Sequence, residues 1–187
     1  MALVLASASP RRSEILHIAG IEDFLIMPAS GEPELRDISP DEIVRRTARF
    51  KADSIRSKMP EDIIIAADTL VFLDGEVLGK PRDEADAFRM LRMLSDRTHT
   101  VYTGVALSTP EKTICRAERA EVTFRHMTDD EINWYISTGA PMDKAGAYGV
   151  QGPGARFIEG INGDFFNVMG LPVCRLFLMA DELGITL

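Results

Sequence analysis

The chain has 187 residues, 45% of them apolar and 27% charged, with 21 Lys+Arg against 29 Asp+Glu and a formal net charge of −8. This size fits one domain with a real hydrophobic core. The acidic balance argues against a dedicated nucleic-acid binder, whose footprint is basic, but leaves room for a small anionic ligand held by a few local cations.

No apolar run reaches the roughly 18 residues of a membrane span. The N-terminal Met-Ala-Leu-Val-Leu-Ala has no basic region before its apolar stretch, so it does not read as a signal peptide. Cys115 and Cys174 follow no metal spacing. A reduced, cytoplasmic protein is expected.

Residues 2–6 form a short apolar run that predicts a buried strand. Ser9-Pro10 then opens a helix, with Ser at the N-cap and Pro where its missing N–H is harmless. The helix stops near Gly20, and a second strand covers Phe24 to Met27. Residues 28–38 read as loop. Ser39-Pro40-Asp41-Glu42 predicts a capping box and a helix to about Lys58. Val44, Ala48 and Ile55 share one face of it, and Lys51 falls on that same face, where it must snorkel or reach an anion.

The run 62–67 is strand-like, with Asp68-Thr69 expected to end it. Asp74-Gly75 predicts a hairpin turn, and a helix follows from about Asp83 to Ser95. Two long strands read as His99–Leu107 and Thr113–Phe124. Thr128-Asp129-Asp130-Glu131 is a second capping box, on a helix ending near Gly139. Residues 139–163 are rich in glycine, which predicts tight backbone approaches and not a hydrophobic core. Pro172 to Leu183 is the last helix. Helices mixed with strands and hairpins argue a mixed α/β or α+β fold around one central sheet, in a single domain over residues 1–187.

No P-loop, Rossmann fingerprint, nucleophile elbow or zinc-protease motif is present, and His17, His99 and His126 are scattered. Carboxylates, cations and backbone amides must therefore carry any catalysis. Ser7-x-Ser9-Pro10-Arg11-Arg12 sits at a strand-to-helix junction. Two arginines there oppose the helix dipole unless an anion lies among them, so the segment reads as a phosphate site; a capped surface helix with solvated arginines fits the same letters. Asp68 follows a buried strand. A partly desolvated carboxylate holds a proton more readily than one in water, which suits a general base, though an Asp bonding nearby amides fits as well. Lys80, between Gly79 and Pro81, is a phosphate contact or an ordinary loop lysine. Gln151 offers paired donor and acceptor, the complement of a nucleobase edge, or serves as a turn amide. Glu32 and Glu34 can bind a hard divalent cation or lie in a solvated acidic loop.

Taken together, LASASPRR, AADTLV, GEVLGKPRD, PMDKAGAYGVQGPGARF and VMGLPV resemble, in order and spacing, the Maf family of nucleotide pyrophosphatases, also called septum-formation-inhibitor-like proteins. The resemblance implies a cytoplasmic, metal-dependent hydrolase of nucleoside triphosphates. It also implies an elongated mixed α/β fold, with a central sheet flanked by helices and a cleft between two lobes. The double arginine after Ser-Pro is similar to the branch acting on dTTP and UTP, which would clear unwanted or modified pyrimidine triphosphates. The sister branch acts on 7-methyl-GTP, and a non-catalytic regulator of septation is the alternative of another class. By the same resemblance, Asp68 is the proton acceptor; Ser7, Arg12, Lys51 and Lys80 contact phosphate, with Ser9 beside them; Arg11, Thr69 and Gln151 select the base. Mg²⁺ or Mn²⁺ would be held by Asp68 and by Glu32 or Glu34. Homodimers are common among similar proteins, and neither nucleic acid nor membrane is an implied partner.

Overall fold

The computed structural model describes residues 1–31, 33, 35 and 38–187. In chain order its elements are β1 (Leu3–Leu5), α1 (Pro10–Ile18), β2 (Leu25–Ile26), α2 (Pro40–Arg56), β3 (Ile63–Leu73), β4 (Glu76–Leu78), α3 (Glu84–Leu94), β5 (Thr98–Ser108), β6 (Thr113–Phe124), α4 (Asp129–Ser137), β7 (Ile158–Asn162), α5 (Phe165–Met169) and α6 (Val173–Leu183), with two 3₁₀ turns at Ala145–Ala147 and Gly152–Phe157. The strands form one mixed sheet in the order β2-β1-β3-β5-β6-β7, with β4 also on β3. β1 is parallel to β2 and β3, while β3–β4 and β6–β7 are antiparallel. The expected mixed α/β architecture is what forms.

The chain divides into two compact units. Unit 1 comprises residues 1–69, 103–118 and 170–187. Its sheet core follows the period of two: Val4, Ala6, Ile64, Ala66 and Ala106 pack with Ala48, Ala52 and Ile55 of α2. Even-numbered positions of β3 therefore face α2, and Asp68 continues that face. Gly104 on β5 makes the approach possible. A Cβ there would stand 2.2 Å from the carbonyl oxygen of Val44, so the α2 backbone rests directly on the strand.

Unit 2 comprises residues 70–102 and 119–169. Its core joins Ala87, Leu91 and Leu94 of α3 to Ile132, Tyr135 and Ile136 of α4 and to Val101, Val122 and Phe124 of the strands. The Asp74-Gly75 hairpin forms as expected, with φ of 50° and 87°, joining Leu73 to its partner Glu76.

Three expectations need correction. Asp68-Thr69 does not end the third strand, which runs on to Leu73 because residues 71–73 pair with β4; tertiary pairing overrides the poor strand preference of Asp. Ser39 occupies the N-cap of α2 but makes no side-chain cap, and Glu42 instead pairs with Arg45 and with Arg46 Nε at 2.5 Å. The capping box at Thr128 and Glu131 does form. Finally, the glycine-rich segment makes close backbone approaches but also supplies Ala147, Tyr148 and Phe157 to the core of unit 2.

Candidate active site

Ser7, Ser9, Arg12 and Thr69 come together where β1 hands over to α1. β1 ends at Leu5 after pairing Ile65 of β3, and the chain turns through Ser7 into a helix begun by Pro10. Ser9 holds the N-cap position, but its hydroxyl does not cap the helix. The local bond is instead Ser9 N–H to Ser7 Oγ at 3.1 Å, and Ser7 is buried.

Arg12, one turn into α1, ties this corner together. Its Nη1 donates to Ser7 Oγ at 3.1 Å, its Nη2 to Thr69 Oγ1 at 3.1 Å, and its Nε to the carbonyl oxygen of Gly170 at 2.8 Å. A guanidinium has five N–H bonds, so two are not taken by these partners. Burial draws its pKa down to about 10; the negative charge of Asp68 opposes that shift and the positive charge of Arg11 adds to it. Arg12 stays a cation at neutral pH. Gly170 has a φ of +116°, and a Cβ there would lie 3.3 Å from Thr69 Oγ1 and 3.6 Å from Arg12 Nε. The glycine both adopts a backbone that L side chains avoid and leaves room for the arginine.

Asp68 projects from the opposite face of β3, toward α2. Lys51 Nζ donates to its Oδ1 at 2.6 Å, with 15% and 19% of the two side chains exposed. The lysine expected on the apolar face of α2 thus reaches an anion, and that anion is a carboxylate of the protein. Thr69, next in the strand, alternates to the Arg12 side and meets Thr103 of β5, Oγ1 to Oγ1 at 3.0 Å. Thr103 is fully buried. Sequence alone does not single it out, because a threonine inside His99–Leu107 looks like ordinary strand composition. Gly170 carried a signal only as part of VMGLPV.

Lys80 and Gln151 belong to unit 2. The turn bearing Lys80 is pinned by Gly146 N–H to the Gly79 carbonyl at 3.0 Å, and Lys80 itself is exposed. Gln151 is half-buried and precedes the second 3₁₀ turn. Its segment is held by Gly149 N–H donating to Tyr135 Oη at 3.2 Å and by Tyr148 Oη lying 2.7 Å from His99 Nε2. Glu32 and Glu34 lie outside the described residues. Among the described residues, no three His, Cys, Asp or Glu side chains gather as a metal cage, and no helix is long and apolar enough to cross a membrane.

The family pattern described as Maf-like protein matches residues 2–183. The chain belongs to the Maf family. This Maf-family chain is 50% identical to a Koribacter versatilis protein named dTTP/UTP pyrophosphatase, over 99% of this chain and 96% of that one. An Aquifex aeolicus protein of the same name is 45% identical over 99% and 97% of the two chains. Among solved structures, the Staphylococcus aureus Ham1 protein matches 84% of this chain and 80% of its own at a TM-score of 0.50 and 16% identity, a likeness of fold alone.

Proposed function

We propose that this chain hydrolyses dTTP and UTP between the α- and β-phosphates, releasing the nucleoside monophosphate and pyrophosphate. The observation that carries the reading is the Lys51–Asp68 pair at 2.6 Å, in the same unit as the cation Arg12, whose charge Asp68 feels, and in a chain so close to relatives of that name. Asp68 accepts a proton from the attacking water. The water oxygen forms a bond to the α-phosphorus, and the bond from the α-phosphorus to the bridging oxygen breaks, its electron pair leaving with pyrophosphate. Lys51 occupies Oδ1, which orients the carboxylate and leaves Oδ2 to take the proton. Arg12, whose position is fixed by three bonds to the protein, presents charge to the phosphates with little reorganisation. Ser7 and Ser9 shape that corner. Arg11 and Thr69 take the base.

A hard divalent cation fits this chemistry. Asp68 is an oxygen donor of the kind Mg²⁺ and Mn²⁺ accept, and these ions need only one or two carboxylates when waters and substrate phosphates complete the shell. Asp68, with Glu32 or Glu34, would hold it. When bound, it supplies neutralisation of the charge that builds on the phosphate oxygens.

The test is a substrate panel of dTTP, UTP, CTP and 7-methyl-GTP with Mg²⁺ or Mn²⁺ present, reading pyrophosphate and orthophosphate separately. Fast pyrophosphate release from dTTP and UTP is the expected result. Preference for 7-methyl-GTP overturns the substrate assignment, and tight binding without release favours a nucleotide-binding regulator.

A further inference from the structure

Thr69 carries one hydroxyl, with one proton to give and two lone pairs to receive. Arg12 Nη2, which can only donate, takes one lone pair at 3.1 Å. Thr103 Oγ1, at 3.0 Å, takes a second of the three functions, either the other lone pair or the proton. Among the described residues one function remains without a partner, and Thr69 is half-buried. We infer that Thr103 is a positioning residue for substrate selection: as the donor of the Thr69–Thr103 pair it fills, together with Arg12, both lone pairs of the Thr69 hydroxyl and leaves only its proton, so that Thr69 favours a 4-keto over a 4-amino pyrimidine.

The chemistry follows from what the two bases present. Uracil and thymine carry a carbonyl acceptor at position 4 and an N–H at position 3. Cytosine carries an amino donor and a bare ring nitrogen at the same places. A hydroxyl free to rotate serves either base, by turning its proton toward one and a lone pair toward the other. A hydroxyl whose two lone pairs are both filled has only its proton left to give. It leaves one of the two bases facing an unmatched group, which is how a polar site rejects an isostere. Thr103 is fully buried and lies on a central strand next to β3, so it orients Thr69 without competing for the ligand itself. Gly170 supports the arrangement from the other side, since a Cβ there would press on Thr69 Oγ1 at 3.3 Å.

The inference rests on the reading that Thr69 faces a pyrimidine triphosphate. The experiment compares kcat/KM for UTP and CTP in the wild type, Thr103→Val, Thr103→Ser, Thr69→Val and Thr69→Val/Thr103→Val, each checked for folding by circular dichroism. Thr103→Val is expected to raise the CTP/UTP ratio about tenfold, the size of one hydrogen bond near 1.4 kcal/mol. Thr103→Ser, which keeps the hydroxyl, is expected to restore the wild-type ratio, and Thr103→Val is expected to add nothing in the Thr69→Val background. Thr103→Ala removes the same hydroxyl and replaces the valine variant if that one fails to fold. A ratio unchanged by loss of the Thr103 hydroxyl, in an enzyme active on UTP, overturns this inference alone. So does an equal change in the ratio with Thr69 already absent. A wild-type chain inert toward dTTP and UTP overturns the underlying reading, and this inference with it.

Discussion

Lys51 Nζ donates to Asp68 Oδ1 at 2.6 Å, joining the middle of α2 to the middle of β3. Ala48, Ala52 and Ile55 pack on Ile64 and Ala66; Lys51 stands between Ala48 and Ala52 on α2, and Asp68 is two residues past Ala66 on β3, so an ionic contact is set into an apolar one. The helix and strand therefore deliver a carboxylate of fixed orientation, and its cation comes from a helix whose placement is set by packing.

Replacing Lys51 with Gln shortens the side chain and removes its charge while leaving a polar group on α2. Asp68 loses its orienting partner, and kcat/KM for UTP is expected to fall about 100-fold, the scale of losing one preorganised charged contact. Steady-state pyrophosphate release measures it. A variant with wild-type kcat/KM would remove Lys51 from the mechanism.

Gly104→Ala tests how α2 is placed. The new methyl would meet the Val44 carbonyl oxygen at 2.2 Å, and backbone cannot rotate away as a side chain can. Overpacking against a rigid neighbour is expected to destabilise the protein by about 3 kcal/mol. For a chain of this length that lowers the thermal midpoint by roughly 10 °C. Activity should fall as well, because moving α2 moves Lys51. A wild-type midpoint would show that β5 and α2 are not held in this contact.

Burial holds the His99 imidazole down to about 4, well below its ordinary 6.5. The unfolded chain therefore binds a proton over the range in which the folded chain does not. Stability falls as pH drops from above 6.5 toward 4. Between pH 7 and 5 this one group is expected to remove about 2 kcal/mol. Glu131, held down to about 2 by its hydrogen bonds to Arg125 and to the Thr128 backbone N–H, contributes its own acid sensitivity at lower pH, from the ordinary carboxylate range downward. Urea midpoints of wild type and His99→Gln at pH 7 and pH 5 check the prediction. The variant should show the shallower pH dependence, and equal slopes would contradict it.

The legible parts of this molecule were those whose cause is local. Thr128 and Glu131 lie three apart and cap one helix; Asp74-Gly75 supplies the positive φ values a tight hairpin needs; Val44, Ala48 and Ile55 mark a buried helix face by spacing alone, and that spacing also pointed inward the lysine that meets Asp68. What was not legible depends on partners distant in the chain. Ser39 and Glu42 have the spacing of a cap, yet the neighbouring arginines take the glutamate. Asp68 looks like a strand terminator, yet β4 extends the strand beyond it. Thr103 becomes meaningful only when β5 lies beside β3, and Gly104 only when α2 is laid across it.

In the proposed reaction Asp68 accepts the proton of the attacking water. Single-turnover pyrophosphate release from UTP with Mg²⁺, compared between wild type and Asp68→Asn, tests it most directly. The asparagine keeps the size of the side chain and can still accept from Lys51, so fold and nucleotide binding should persist. The expected rate is about 1,000-fold lower, the scale of general-base catalysis. A folded Asp68→Asn protein that releases pyrophosphate at the wild-type rate would contradict it.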